Sequence, residues 1–363
     1  MVAKGLATAI VGKAECAAVK VYEIDPLQDS RWAALVKSHP ISSVFHCPKW
    51  LRALRAVYGY EPFVVTTCPP GVCLTNALVL CRIKSWLTGR RLVSLPFSDH
   101  CEPLVNDLDE LDKLLLHLKQ TVDQGAWRYV EIRPISFEPG CGTGLGRVMK
   151  YKFHRLDLSP STEQLFRNFH KDCVQRKIRR AEREKLLYEE GTSEELLQKF
   201  YRLFVITRRR QYLPPQPLSW FRGLIAAFGE DIKIRVASKE GVAIAGILTL
   251  AHKKSVVYKY GCSDAAFNKL GGTALLFWKT IQEAKDAGFD ELDLGRSDTD
   301  NPGLIAFKEH WGAIGKYIDY WSSPPRKAAS LSKWKRSVVR RIVSVMPDLA
   351  LKAAGTLLYR HMG

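Results

Sequence analysis

The sequence predicts a mixed α/β protein made of two copies of one unit, followed by a basic tail. Three observations carry that prediction. The chain has 363 residues, roughly twice the length of an ordinary domain. Segments with the two-residue period of strands alternate with segments of helical period. Two stretches also align with two later ones: Gly71-Val-Cys-Leu-Thr-Asn-Ala-Leu-Val-Leu with Gly241-Val-Ala-Ile-Ala-Gly-Ile-Leu-Thr-Leu, and Gly125-Ala-Trp-Arg-Tyr-Val-Glu-Ile-Arg with Gly288-Phe-Asp-Glu-Leu-Asp-Leu-Gly-Arg. Each half runs hairpin, helix, glycine stop, then a strand ending in acid-x-(x)-Arg. A chance match between two generic units is the plain alternative.

In the first half, the spacing of Trp50, Leu51, Leu54 and Val57 predicts a helix over 44–58, entered after Ser42-Ser43 and ended by Gly59. Strands follow over 63–67, 72–83 and 91–95, the first two joined by the Pro69-Pro70-Gly71 turn. Leucines 111, 114, 115 and 118 mark a helix over 108–122, and strands are expected over 129–133 and 151–158. The glycine-rich 137–146 segment reads as a loop. In the second half, a helix dense in basic residues is expected over 162–187, another over 194–210, and a short one over 219–228 after Pro214-Pro215-Gln216-Pro217. Strands over 232–237, 242–251 and 255–261, a helix over 273–287, and strands over 291–294 and 317–321 complete it. The expected division is a tail over 1–19, units over 20–160 and 161–322, and a basic tail over 323–363.

Hydrophobic residues make up 46% and charged residues 25% of the chain, which excludes disorder, collagen and coiled coil for its bulk. No stretch approaches the ~18–20 uncharged apolar residues of a spanning helix. Residues 6–12 are too short for a secretory core. The expected location is therefore cytoplasmic. The nine cysteines are scattered without a C-x-x-C pair, so reduced thiols are expected rather than a disulfide framework or a zinc ribbon. The net charge of +18 points to a polyanionic partner: nucleic acid, anionic lipid or a phosphorylated substrate.

Glycines at a helix start let backbone N–H groups approach phosphate oxygens. Lys269, Gly271, Gly272, Thr273 and Ala274 form such a segment between a strand and a helix. Lys269-x-x-Gly272-x-Ala274 resembles the pyrophosphate loop of the GNAT acyltransferase superfamily. The wider pattern resembles the Fem-like branch, which has two tandem GNAT-type folds. It includes His46-x-Pro48-x-Trp50-Leu51, Leu92-Val-Ser-Leu-Pro-Phe97, Arg176-Lys-Ile-Arg179-Arg180-Ala181, Leu292-Asp293-Leu-Gly295-Arg296-Ser297 and Phe307-Lys308-x-x-Trp311-Gly312. The likeness covers roughly residues 20–322.

The resemblance implies acyl or aminoacyl transfer to an amine of an envelope glycan or lipid-linked precursor. The donor it implies is acyl-CoA or, as the alternative, aminoacyl-transfer RNA; a non-catalytic scaffold for polysaccharide synthesis is a third reading. Amine attack on an ester or thioester generates an oxyanion that needs a donor. In the Fem-like pattern that lysine is Lys308, though a solvated lysine beside a buried Phe307–Trp311 pair fits the spacing too. Asp293 could accept the amine proton, and its first-half counterpart is Glu131. Arg296 is expected to order the following loop or to pair with Asp293. No metal is expected: His46, His100, His252 and His310 lack ligand spacing, and His46 reads as a cap or core group.

Residues 171–185 hold seven basic and three acidic side chains. Arg176, Arg179, Arg180 and Arg183 recur at helical spacing, a face suited to phosphates; a merely solvated face is the alternative. In the tail from 324, nine Lys and Arg face one Asp. Trp334 and Ile342 fall on an apolar half of a helical wheel, and Arg336, Arg340 and Arg341 on a basic half. Such a helix suits an anionic membrane surface, which would make the protein peripheral at the inner face of the plasma membrane. Packing back onto the body is the alternative.

Overall fold

The computed structural model describes residues 20–138, 140, 143–326 and 341–362. Its strands are β1 (Tyr22–Ile24), β2 (Glu61–Thr66), β3 (Leu78–Ser85), β4 (Gly89–Val93), β5 (Val130–Ile132), β6 (Gly146–Asp157), β7 (Leu187–Gly191), β8 (Ile232–Lys239), β9 (Val242–His252), β10 (Ser255–Ser263), β11 (Glu291–Asp298) and β12 (Ile314–Ser323). The helices are α1 (Ser30–Ser38), α2 (Pro48–Tyr58), α3 (Leu108–Asp123), α4 (Thr162–Asn168), α5 (Arg176–Arg183), α6 (Glu194–Arg210), α7 (Leu218–Phe228), α8 (Gly272–Asp286), α9 (Pro302–Glu309) and α10 (Asp348–Met362). All twelve strands join in one sheet, ordered β1-β2-β3-β4-β5-β12-β6-β11-β10-β9-β8-β7.

The internal repeat is visible in this order. In the first half β2, β3 and β4 are antiparallel neighbours, and after α3 the chain returns as β5, parallel to β4. In the second half β8, β9 and β10 do the same, and after α8 the chain returns as β11, parallel to β10. Val93 pairs with Glu131 in one copy and Val257 with Asp293 in the other, so the two acids occupy equivalent positions. The next strands change sides. β6 follows β5 in sequence yet pairs with β11, while β12 pairs with β5. β6 and β12 then pair with each other across the middle of the sheet.

The apolar patterning explains the layers. Ile244 to Leu250 of β9 are buried without a break, as a strand covered on both faces requires. One core joins the halves: Trp50 of α2 meets Trp220 of α7 edge to face, 5.3 Å between centroids. Separate cores lie under α3 and under α5 and α8. α3 starts where the Asp107 side chain accepts the Glu110 N–H at 2.8 Å, and it buries Leu111, Leu114, Leu115 and Leu118.

Several expected elements are corrected. Residues 162–187 are not one helix. Phe169 turns inward against Trp278 and Trp311, and the Gln175 side-chain amide donates to the Phe169 carbonyl at 2.8 Å. A π-helical turn over Lys171–Gln175 then leads into α5, and 187–191 form the edge strand β7. The helix expected over 44–58 is a short 3-10 turn (Val44–His46) and then α2, because Pro48 lacks an N–H and starts a new helix at its first position. The second strand begins at Leu78, after a loop in which Asn76 takes the Thr67 N–H.

The tail also differs. α10 packs on the body, burying Leu351 and Tyr359, and the Tyr60 hydroxyl donates to the Tyr359 carbonyl at 2.8 Å. Trp334, Arg336 and Arg340 lie outside the described residues, while Arg341 and Ile342 are exposed. Among the described residues, the cysteines are free thiols and no helix is long and apolar enough to cross a membrane.

Candidate active site

The site begins with a β-bulge. On β11, Asp293 pairs with Arg155 of β6 and Arg296 pairs with Phe153, so β11 carries one residue more than its partner. Gly295 sits at φ +68°, and a Cβ there would lie 3.2 Å from the Asp99 carboxyl carbon. Both the left-handed backbone and the close approach require glycine. The bulge leaves the Gly295 and Arg296 carbonyls to the Lys308 ammonium, which donates to them at 2.8 and 3.0 Å.

Asp293 is held from two sides. Its Oδ1 accepts the Gly295 N–H at 2.6 Å, and its Oδ2 lies 2.9 Å from His100 Nε2. Asp293 and His100 are each only 2% exposed. His100 arrives from the first half, in the segment after β4, and lies edge-on to Phe45 and Phe153 at 5.2 and 5.1 Å. Its neighbour Asp99 binds Lys259 of β10 at 2.6 Å. Burial would raise the Asp99 carboxyl, but Lys259 and Arg296 outweigh it and hold the group below its usual range. Burial pushes the Lys308 ammonium down to about 8, with Asp99 and Asp293 opposing. Arg296 forms its ion pair with Asp298 at 3.7 Å and covers the Tyr151 ring, so of its two expected roles it takes the ordering of its own segment.

A cavity of about 690 Å³ opens between the halves, with Ser42, His100 and Glu102 from the first half and Lys253, Asp290 and Asp293 from the second among its walls. Lys308 does not line it. The expected catalytic pair is therefore placed in one cluster, but only Asp293 faces the cavity.

The expected phosphate loop lies elsewhere. Gly271 caps α8 at φ +83°, and a Cβ on it would fall 2.2 Å from the Lys177 carbonyl of α5. At Gly272 a Cβ would come within 3.1 to 3.2 Å of Ile244 and Ala245. Helix and strand packing thus account for both glycines. Ala274 is buried, Thr273 half-buried and Lys269 exposed. α5 brings its basic face beside this loop: Arg176, Arg179, Arg180 and Arg183 are all exposed, opposite buried Ile178 and Ala181. Arg176 pairs with Asp172 at 3.4 Å, Arg180 with Glu184, and Arg179 covers Phe166.

His100 is the residue sequence reasoning missed, since 193 positions separate it from Asp293. The one signal was indirect: acid-x-x-Arg in the second half has a residue more than acid-x-Arg in the first, and that residue is Gly295. Another pairing joins the halves at the cavity rim, where Cys47 Sγ lies 3.0 Å from His252 Nδ1. Burial raises the thiol to about 12, which makes it a poor nucleophile. His46 is a cap and a core group at once: its Nδ1 accepts the Ser43 N–H at 3.0 Å, and it is fully buried. Among the described residues, His170, Cys173 and His310 bring metal-type donor atoms within 4.8 Å of one another, although His170 Nδ1 already accepts the Cys173 N–H.

Comparison with known proteins agrees with this architecture. A family model described as an acetyltransferase (GNAT) domain matches residues 168–309. The UDP-N-acetylmuramoylpentapeptide-lysine N(6)-alanyltransferase of Weissella viridescens is 28% identical over 156 residues, 39% of this chain and 46% of that protein. The match therefore spans less than half the length of that relative. The crystal structure of FemX superimposes with a TM-score of 0.65 at 15% identity, covering 88% of this chain and all of FemX. A tandem GNAT protein from the clavulanic acid biosynthesis pathway gives 0.53 at 12% identity, covering 84% and 98%. At such identities the structures speak for the fold alone. The repeat, the mixed sheet and these matches together make the chain similar to Fem-like proteins of the GNAT superfamily, with a GNAT domain matched over residues 168–309 and a fold shared with tandem GNAT structures.

Proposed function

We propose that the protein is an N-acyltransferase that joins an acyl group to a primary amine of a cell-envelope glycan or lipid-linked precursor. The observation that carries this reading is the buried Asp293–His100 junction on the wall of a cavity between the two units. Those units are taken as residues 20–160 and 161–322, which exchange β6 and β12. Amide formation requires a neutral amine, an acceptor for its proton, and a donor to the oxyanion. Asp293 belongs to the proton-accepting part. Lys308 has three N–H groups, two of them held by carbonyls, and its oxyanion role would need the third to reach a cavity whose wall it does not form. Its first effect is to fix the bulge that positions Asp293.

Acyl-CoA is the first donor reading, with Lys269, Gly271, Gly272, Thr273 and Ala274 at the start of α8 as the residues that would hold its pyrophosphate. Aminoacyl-transfer RNA is the second reading. It is favoured by the alanyltransferase relative, by the α5 backbone lying against Gly271, and by the exposed arginines of α5, which suit a phosphate backbone. A peripheral membrane position belongs to the same proposal, with Trp334, Arg336, Arg340, Arg341 and Ile342 as the contact. Co-sedimentation of the full chain with anionic vesicles tests it: binding should weaken as salt rises and with Trp334→Ala. Undiminished binding by that variant removes the tail from the proposal.

The function is tested by giving the full chain radiolabelled acetyl-CoA or alanyl-transfer RNA with a lysine-bearing UDP-N-acetylmuramoylpentapeptide. Label in an amide with one donor identifies that donor. Label with neither sinks the acyltransferase reading for this acceptor.

A further inference from the structure

His100 uses one ring nitrogen and leaves the other without a partner. Nε2 lies 2.9 Å from Asp293 Oδ2, and that carboxylate is itself fixed by the Gly295 N–H at 2.6 Å. A neutral imidazole that donates from Nε2 carries its lone pair on Nδ1. Nδ1 has no hydrogen-bond partner among the described residues, although the ring is 2% exposed. Buried polar atoms are nearly always paired, so one that is not asks for a reason. His46 is paired at both nitrogens, with Nδ1 accepting from Ser43 and Nε2 facing the Glu102 carbonyl at 2.8 Å, whereas among the described residues buried His154 shares the unpaired state of His100 but lines no part of the cavity. His100 also lines the cavity, and Phe45 and Phe153 restrict the turning of its ring.

We infer that His100, through Nδ1, is the general base of the site, and that Asp293 is its positioning residue rather than the base. The inference rests on the acyl-transfer reading. As the amine nitrogen bonds to the acyl carbon, its surplus proton passes to Nδ1, and Asp293 supports the imidazolium that forms. The carbon–sulfur or carbon–oxygen bond of the donor then breaks. The imidazolium returns the proton to the departing thiolate or alkoxide, leaving an amide and a free thiol or hydroxyl. No oxidant or metal enters the balance. The separation of roles also accounts for the bulge: it aims a carboxylate at a histidine of the other unit, not at the cavity alone.

The test uses the full chain, with the muramoylpentapeptide acceptor and whichever donor of the two supports transfer. His100→Gln keeps a polar side chain of similar size but no base, and turnover should fall about 100-fold or more. Added imidazole should restore part of the rate in His100→Gly. Asp293→Asn should lower kcat with little change in the donor KM, because it disturbs the tautomer and not the binding surface. Nitrogen-15 spectra of the wild-type imidazoles, compared with Asp293→Asn, read the same point without activity or refolding concerns. A neutral His100 with its proton on Nε2, altered in Asp293→Asn, is the expected result. Turnover within about threefold in His100→Gln would overturn the base assignment and leave acyl transfer standing. A proton found on Nδ1 of neutral His100 would overturn it as well. Absence of transfer by the wild type with both donors would remove the acyl-transfer reading and the base role together.

Discussion

Glu131 and Asp293 stand at the same place in the two units, each on the strand that returns parallel to its neighbour. Their surroundings differ. Glu131 lies 2.9 Å from Arg133 and is also paired with Arg326, and although burial would raise its carboxyl, the two guanidinium groups hold it below the usual range. Asp293 meets a histidine from the other unit and a backbone N–H. The helices before these strands differ in the same sense. α3 opens with Asp107 as its cap and Asp109 and Glu110 in its first turn, whereas α8 opens on Gly271 with no acid there. The acid of the first unit is held by two guanidinium groups and its helix opens on acidic residues, whereas the acid of the second unit faces a histidine and its helix opens without an acid.

The largest test of that difference exchanges the acids' fates. Asp293→Asn should cost about two orders of magnitude in turnover, while Glu131→Gln should leave turnover nearly unchanged. Glu131→Gln should instead lower stability by about 2 kcal/mol, because it leaves the partly covered Arg133 guanidinium without its charge partner. Turnover assays and denaturant melts on both variants check this. Equal losses of turnover would erase the distinction.

Thr273→Glu makes the start of α8 resemble that of α3. Thr273 is half-buried at the first turn, so the change should be tolerated by the fold, and the donor KM should rise about tenfold through repulsion of phosphates. An unchanged KM would mean that the donor does not reach this helix. Gly295→Ala tests the extra residue: a side chain at φ +68° against Asp99 should destabilise the protein by about 1–2 kcal/mol, seen as a lower melting temperature.

A pH dependence tests the burial of Lys308. The Lys308 ammonium is shifted from 10.5 to about 8, so between those values the unfolded chain binds more protons than the native one. The contribution of this group is therefore full above 10.5 and is lost as pH falls through about 8. Relative to Lys308→Met, the wild type should gain stability as pH rises from 8 to 10.5. A constant difference would show that Lys308 is not buried as described.

Much of this fold was legible, and for a definite reason. The leucines of α3 mark the one face it buries, and the mostly apolar run of β9 marks a strand covered on both faces. Periodicity reports a face, however, and not the neighbour it meets. That Gly146–Asp157 would pair with Glu291–Asp298, and Ile314–Ser323 with Val130–Ile132, is set by packing between halves. Asp293 could be singled out because it sits in a repeated, recognisable pattern. His100 could not, because its partner is supplied by tertiary contact alone. The break at Phe169 was hidden by the arginine spacing of 176–183, which continues the helical period on the far side of the turn.

The exchange of β6 and β12 also bears on how the chain can be made. β5 is complete at Ile132, but its neighbour Trp321 is synthesised nearly 190 residues later. At about 5–20 residues per second, a nascent chain waits roughly 10–40 s with the β5 edge unpaired. Unpaired edges of this kind invite pairing with other chains. The first unit therefore cannot finish folding on the ribosome before the second has been translated, and a fragment ending near residue 160 should aggregate rather than serve as a free-standing module.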